Sequence, residues 1–294
     1  MSLVLRSTAL GIALVCLVGC KLVDEQPKGR SPLAPVTPSP DQVTLEVFSA
    51  PAPLEDPRWA ALWSEVDEQS LSPELRTRLA QNGLRAGVIG ARVPDALASL
   101  LKVTDERVSD EERTKVPLDG KPSVVMRLMQ PSPGKRHELI LTGVRNRLSL
   151  LRSAGGEVIG KTYSQAEGRL AMHVFPQPGG QVRLELVPEL HHGEPKTQTR
   201  PSDGMFIWTT ERDKEVFAEL KVDSVLAAGE MLLITCLDDR PGSIGHHLFV
   251  QTDGEAPLRT LWALRVAQAG ADRAFVDWNA ERPAPLTPDA GDRK

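Results

Sequence analysis

The sequence predicts an α+β fold in which a small amino-terminal α/β module precedes an antiparallel, β-sandwich-like domain. Residues 42–103 show strand and helix patterns in the order β-α-α-β-α. From residue 123 onward, short alternating runs spaced about 8–12 residues apart replace the helical period, as is typical of sandwiches. Hydrophobic residues make up 40% of the 294 and charged residues 25%, which indicates a globular chain that can bury a core.

The first twenty residues have the pattern of an export signal. Arg6 precedes an apolar run from Ala9 that closes with Leu17-Val18-Gly19-Cys20. The run fits the apolar core of a signal peptide, about 7–15 residues, and is shorter than the roughly 20 residues that span a bilayer. Leu17–Cys20 resembles the lipobox of bacterial lipoproteins, whereas an ordinary signal peptide with an incidental cysteine is the alternative.

The lipobox resemblance implies that residues 1–19 are cleaved off and that Cys20 is lipidated on its thiol and on the new amino terminus. Each buried CH₂ contributes about 0.8 kcal/mol, so two or three chains would hold the protein permanently on membrane lipid. Lys21 stands where an aspartate would favour retention in the inner membrane. The resemblance therefore implies a cell-envelope protein on the outer membrane.

Residues 20–41 are rich in proline and poor in large apolar side chains, which predicts a disordered tether. The alternation in Val43–Phe48 then predicts the first strand. A helix follows from Pro57 to about Glu68, with Asp56 as its cap and an apolar stripe of Trp59, Leu62, Trp63 and Val66. The stripe is interpreted as core packing, and an exposed partner-binding face is the alternative.

Two more helices and a strand complete the module of residues 42–103. Ser72-Pro73 begins the second helix and Asn82-Gly83 ends it. A strand or extended turn over 84–90 and a helix opened by Pro94 follow. The run from Leu62 to Leu101 resembles uncharacterised bacterial lipoproteins, a resemblance that implies no activity.

The charge-rich residues 104–122 are interpreted as a linker, 123–279 as the antiparallel β domain and 280–294 as a disordered tail. The clearest hairpin joins Leu170–Phe175 to Val182–Val187 through a Pro- and Gly-rich turn. The predicted strands are Val124–Met129, Glu138–Thr142, Leu148–Arg152, Arg169–Phe175, Gln181–Pro188, Met205–Thr209, Glu215–Val222, Met231–Leu237, His247–Gln251 and Leu261–Ala267.

Composition argues against several classes of function. The net charge of −4 and the 4% of aromatic residues give no basic or stacking surface for nucleic acid. The glycines Gly83, Gly87 and Gly90 do not match a nucleotide-binding loop. Cys16 leaves with the signal and Cys20 is lipidated, so Cys236 has no intrachain partner and is interpreted as a buried, inert thiol.

Histidines are the remaining candidates for a site. His191-His192, interpreted as a turn, could join His246 and either Asp238 or Asp239 on a metal. Adjacent histidines in a strand point to opposite faces, so each pair would supply one ligand. The alternative is a set of loop histidines without a common centre, favoured because no fixed ligand spacing such as H-E-x-x-H occurs.

Nucleophile patterns are also weak. Ser243 lies outside a G-x-S-x-G elbow, and Cys236 could form a dyad with His246 or His247. The segment Val182–Glu189 is similar to strands of secretin β domains, a similarity that carries no function here. No catalytic residue, metal ligand or cofactor is predicted.

The sequence therefore predicts a lipid-anchored, non-catalytic envelope protein that binds membrane lipid through Cys20 and another envelope protein through its folded part. One alternative is an envelope hydrolase that uses a His/Asp metal site or Cys236 with a histidine. A second alternative is a secretin-like assembly subunit.

Overall fold

The computed structural model describes residues 42–101, 124–202, 205–252 and 256–270. Most of these residues lie in antiparallel strands, with a few short helices, so the α+β fold class is confirmed. The signal peptide, Cys20, the tether, the charged linker and the tail lie outside the described residues. Within the described ranges, no helix has both the length and the apolar character needed to cross a membrane.

The amino-terminal elements follow the predicted order. They are β1 (Val43–Pro53), α1 (Arg58–Trp63), α2 (Pro73–Gln81), β2 (Leu84–Ile89) and α3 (Asp95–Leu101). The Ser72 side chain caps α2 by accepting a hydrogen bond from the Leu75 N–H, and Gly83 ends it with a φ of 71°. Helix α1 stops before Glu68 because the backbone of Asp67 forms two hydrogen bonds with Val88 of β2.

The later elements are mainly strands. They are β3 (Val125–Met129), β4 (Arg136–Ile140), β5 (Arg145–Ala154), β6 (Glu157–Gln177), β7 (Gln181–Ser202), β8 (Met205–Val216), a 3-10 helix (Ala218–Leu220), β9 (Val222–Leu226), β10 (Met231–Cys236), α4 (Ile244–Phe249), β11 (Val250–Gln251) and β12 (Leu258–Ala269).

The first sheet combines strands from both ends of the chain. Its order is β2-β10-β12-β1-β3, and β11 pairs with β12. Strands β1 and β2, predicted to lie in the module, pair with β12 and β10, predicted to lie in the β domain. The two predicted regions therefore share one sheet.

The second sheet has the order β4-β6-β7-β8, with β5 on β6 and β9 on β7. The predicted hairpin forms its centre, since β6 and β7 pair from Glu167↔His191 to Gln177↔Gln181. Gly179 and Gly180 have positive φ in its turn. Beyond the sheet, β7 and β8 continue as a two-stranded ribbon on which Phe206 and Trp208 are 76% and 77% exposed.

Two hydrophobic clusters define the layers. One lies between the sheets and includes Leu45 of β1, Leu184 of β7 and Leu264 of β12. The other packs α1 and α3 on the opposite face of the first sheet and includes Trp59, Leu62, Trp63, Leu97, Leu100 and Leu101. Trp63 is 6% exposed, so the tryptophan stripe is core and not an exposed face.

Three sequence predictions in the β region are wrong. His247–Gln251 was predicted as a strand, but Ile244–Phe249 is helical because the Ser243 side chain accepts the His246 N–H and caps α4. Glu215–Val222 was predicted as one strand, but it is interrupted by the 3-10 helix. Strands β6 and β7 are also much longer than predicted, because their polar halves pair with β5 and β8.

Candidate functional site

Among the described residues, the structure does not bring together the histidines and aspartates of the alternative metal site, which the sequence analysis did not favour. His246 lies in α4, Asp238 pairs with Arg259, and His191 lies in β7, where a strand replaces the predicted turn. Burial lowers the pKa of His246 and of His247, which favours the neutral imidazoles. The His247 ring contacts the backbone carbonyl of Ser149 at 2.8 Å and so has a structural partner.

Cys236 lies in β10 and is 1% exposed. Desolvation by burial raises the pKa of its thiol to about 11. A thiol with such a pKa is almost entirely protonated at neutral pH and is therefore a poor nucleophile. Ser243 uses its hydroxyl to cap α4, which gives that side chain a structural role.

A cleft lined by charged and polar side chains lies on the outer face of the second sheet, opposite the face that packs on the first sheet. The cleft has a volume of about 510 Å³. Strands β4, β6, β7 and β8 each contribute to its wall. The lining consists of Arg136, Glu138, Arg169, His191, Pro195, Thr210, Glu211, Arg212 and Lys214.

Glu189 lies at the centre of the charged network beside this cleft and is 1% exposed. Its two carboxylate oxygens accept hydrogen bonds from Arg136 at 2.7 and 2.6 Å, and His191 Nε2 lies 3.0 Å from one of them. Burial acts to raise the pKa of Glu189, but the hydrogen bonds from Arg136 and His191 outweigh it and lower the pKa to about 2.

Three ion pairs extend the network across the sheet. Glu138 accepts hydrogen bonds from both Arg136 and Arg169, and Arg169 also donates to Glu167. Burial acts to raise the pKa of Glu138, and the two guanidinium groups lower it overall. Glu138 and Glu189 are thus held in the charged form by the arginines that contact them.

Glu138, Glu189 and His191 offer ligand atoms that all lie within 4.8 Å of one another, which meets one requirement of a metal site. The Arg136 guanidinium, however, already bridges the two carboxylates. A divalent cation would have to displace this fixed positive charge or bind beside it, and both options are electrostatically unfavourable. The arrangement therefore does not fit a metal.

Arg212 is held against the cleft wall by two irregular backbone positions. Its Nη1 donates to the carbonyl oxygens of Gln165 and Gly193 at 3.1 and 2.7 Å. Gln165 has a φ of 47°, in a region that non-glycine residues rarely adopt, and Gly193 has a φ of 77°. Gly193 lies in the register shift of the β7–β8 pairing between His192 and Lys196.

Lys214 faces His191 directly across the β7–β8 pair. Within the part of the chain that the structure describes, its ammonium group has no hydrogen bond or ion pair, although its charge helps to lower the pKa of Glu189. His192 points to the other face of β7, where its ring lies 4.9 Å from that of Tyr163. The rule that adjacent strand histidines point to opposite faces is thus confirmed.

Sequence reasoning identified His191 but missed the residues that surround it. Glu189 and His191 are two positions apart in a strand, and so are Arg136 and Glu138, so each pair shares a face. That spacing was a usable signal. The pairing of β4, β6, β7 and β8 that brings the two pairs together depends on long-range register, which the sequence does not specify locally.

Comparison with protein-family models, with curated proteins and with solved structures finds no match for this chain.

Proposed function

We propose that the chain is a lipid-anchored protein of the cell envelope that acts as a non-catalytic binding module. The Leu17–Cys20 segment supports the anchor, because its order and position are those of a lipobox. The proline-rich residues 20–41 would space the folded part from the membrane. The cleft on the second sheet supports the binding role, and we propose that it takes a component of the envelope.

The observation that carries the binding proposal is the burial of the Glu189 carboxylate beside an open cleft. Removing a carboxylate from water costs several kcal/mol, and the ion pair with Arg136 offsets this only with favourable geometry. The hydrophobic core between the sheets does not include the members of this network. Well-ordered charges with shifted pKa values beside a concave surface are typical of ligand sites.

The experiment is to purify the full-length protein from membranes, denature it and identify the released small molecules by mass spectrometry. The matched variants are Arg212→Gln in the cleft and Lys221→Gln, which changes a charge outside the cleft lining. We expect one compound to be retained by the parent and by Lys221→Gln but not by Arg212→Gln. If all three proteins release the same compounds, the cleft is not the binding site.

A second candidate function is favoured by the Glu189–His191 pair. A histidine oriented by a buried carboxylate is a common general base, and this pair would suit the hydrolase alternative. The same purified protein distinguishes the two functions. A retained compound that is chemically unchanged after incubation supports binding, whereas conversion that stops in His191→Gln supports catalysis.

A further inference from the structure

We infer that the cleft recognises an anionic group, a carboxylate or a phosphate, through Arg212 and Lys214. This inference rests on the proposed binding function and adds the chemical class of the ligand. The inference depends on which charged side chains of the cleft wall already form ion pairs or hydrogen bonds within the protein and which do not.

The wall has more cationic than anionic side chains. Arg136, Arg169, Arg212 and Lys214 line it, against Glu138 and Glu211. Glu138 is neutralised by two arginines, and Glu211 also has an interaction of its own. No carboxylate of the wall is thus left as an evident partner for a cationic ligand.

Two of the four cations are committed to the protein itself. Arg136 forms ion pairs with Glu138 and Glu189, and Arg169 forms ion pairs with Glu138 and Glu167. These arginines neutralise Glu138 in the wall and Glu167 and Glu189 outside the lining. The positive charge available to a ligand therefore belongs to the other two residues.

Arg212 is oriented in advance of binding. Its Nη1 donates to Gln165 and Gly193, while its Nε and Nη2 have no acceptor among residues 42–101, 124–202, 205–252 and 256–270. Because a guanidinium group is planar, fixing Nη1 also fixes the direction of the other N–H groups. A carboxylate or phosphate would meet donors whose orientation is already set.

The unusual backbone at Gln165 supports this interpretation. A non-glycine residue in the left-handed region is strained, and such residues concentrate at functional sites. Gln165 contributes both its backbone and its side-chain oxygen to Arg212 Nη1. The strained residue therefore acts directly on the group that we assign to ligand binding.

Lys214 supplies the second charge. Its ammonium group has no hydrogen-bond partner in the described ranges, and it lies across the strand pair from His191. With about 510 Å³, the cleft is in the size range of sites for organic ligands, roughly 300–1,000 Å³. The chemistry fits a small organic anion, or an anionic group that belongs to a larger molecule.

The test is isothermal titration of the full-length protein in detergent with three probes at constant ionic strength: inorganic phosphate, succinate and choline. We expect at least one of the two anions to bind and choline not to bind. Preference for succinate or for phosphate identifies the acidic group. Arg212→Gln and Lys214→Gln should each weaken binding of the anion about tenfold or more, and Lys221→Gln should leave it unchanged.

The inference is overturned if choline binds in place of the anions, or if Lys221→Gln weakens anion binding as much as Arg212→Gln does. It is also overturned if neither anion binds. In that case, the compound that remains bound to the protein purified from membranes distinguishes a failure of the anion inference from a failure of the proposed binding function. If the parent retains a neutral or cationic compound that Arg212→Gln does not retain, the cleft is a binding site but its ligand is not an anion. If the parent retains no compound, both the binding function and the anionic ligand are contradicted.

Discussion

At the scale of single residues, the charge of Glu189 links the stability of the molecule to pH. Its pKa of about 2 in the folded protein is well below its usual value of 4.5. A carboxylate with a depressed pKa stabilises the fold above its unfolded pKa, and this contribution is lost as the pH falls toward the folded pKa. The sensitive window thus runs from about pH 5 down to pH 2.

We predict that Glu189→Gln lowers the free energy of unfolding at pH 7 by on the order of 3 kcal/mol, since a shift of one pKa unit corresponds to about 1.4 kcal/mol. The difference from the parent should shrink as the pH falls through the window, because the parent loses its charge. Urea unfolding at a series of pH values measures this difference in the free energy of unfolding between the variant and the parent. Glu65→Gln, at an exposed position, is the control, and a gap that persists unchanged at pH 2 would contradict the linkage.

The tryptophans provide a second test at this scale. Trp63 is the last residue of α1 and is 6% exposed, packed in the cluster between this helix and the first sheet, whereas Trp208 is 77% exposed on the β7–β8 ribbon. We expect Trp63→Ala to cost about 3–5 kcal/mol of unfolding free energy and Trp208→Ala to cost less than about 0.5 kcal/mol. Denaturant midpoints measure both. Equal midpoints for the two variants would mean that Trp63 is not part of the core.

At the scale of elements, α4 depends on a close approach of two backbone segments. A Cβ added at Gly245 would lie 1.9 Å from the carbonyl oxygen of Gly83, and the Gly245 N–H donates to the carbonyl of Asn82. A backbone neighbour cannot move aside as the end of a flexible side chain can. Only glycine fits this position without displacing the helix from the start of β2.

We therefore predict that Gly245→Ala destabilises the protein by about 3 kcal/mol. Gly90→Ala is the matched control, because nothing lies within 4 Å of a Cβ added there. That variant should change the unfolding free energy by less than about 0.5 kcal/mol. Thermal unfolding measures the midpoints of the two variants. Equal midpoints would contradict the close approach of Gly245 to the carbonyl oxygen of Gly83.

Local patterns predicted most element types, and the failures have physical causes. The order β-α-α-β-α, the Ser72 cap and the stop at Gly83 follow from signals within a few residues. Helix α4 was missed because His247–Val250 resembles a short apolar strand, although the Ser243 cap was a usable signal. The polar half of β6 lacks alternation, and only its pairing with β5 makes it a strand.

At the scale of the whole molecule, strands from the amino-terminal region pair with strands from the carboxy-terminal region. Strand β1 pairs with β12 from Val43↔Ala269 to Pro53↔Leu258, and β2 pairs with β10. Pairs so distant in sequence depend on the register of complete sheets, which local periodicity does not contain. For the same reason, the sequence suggested His191 as a site residue but could not place Arg136, Arg212 and Lys214 beside it.

We propose that lipid on Cys20 anchors this folded unit to a membrane surface outside the cytoplasm. The most direct measurement is the distribution of the protein between membrane and soluble fractions for the parent, Cys20→Ser and Cys236→Ser. We predict that the parent and Cys236→Ser stay with the membranes, because Cys236 is buried in β10, and that Cys20→Ser does not. Retention of Cys20→Ser in membranes after a high-salt wash would contradict lipid anchoring at Cys20.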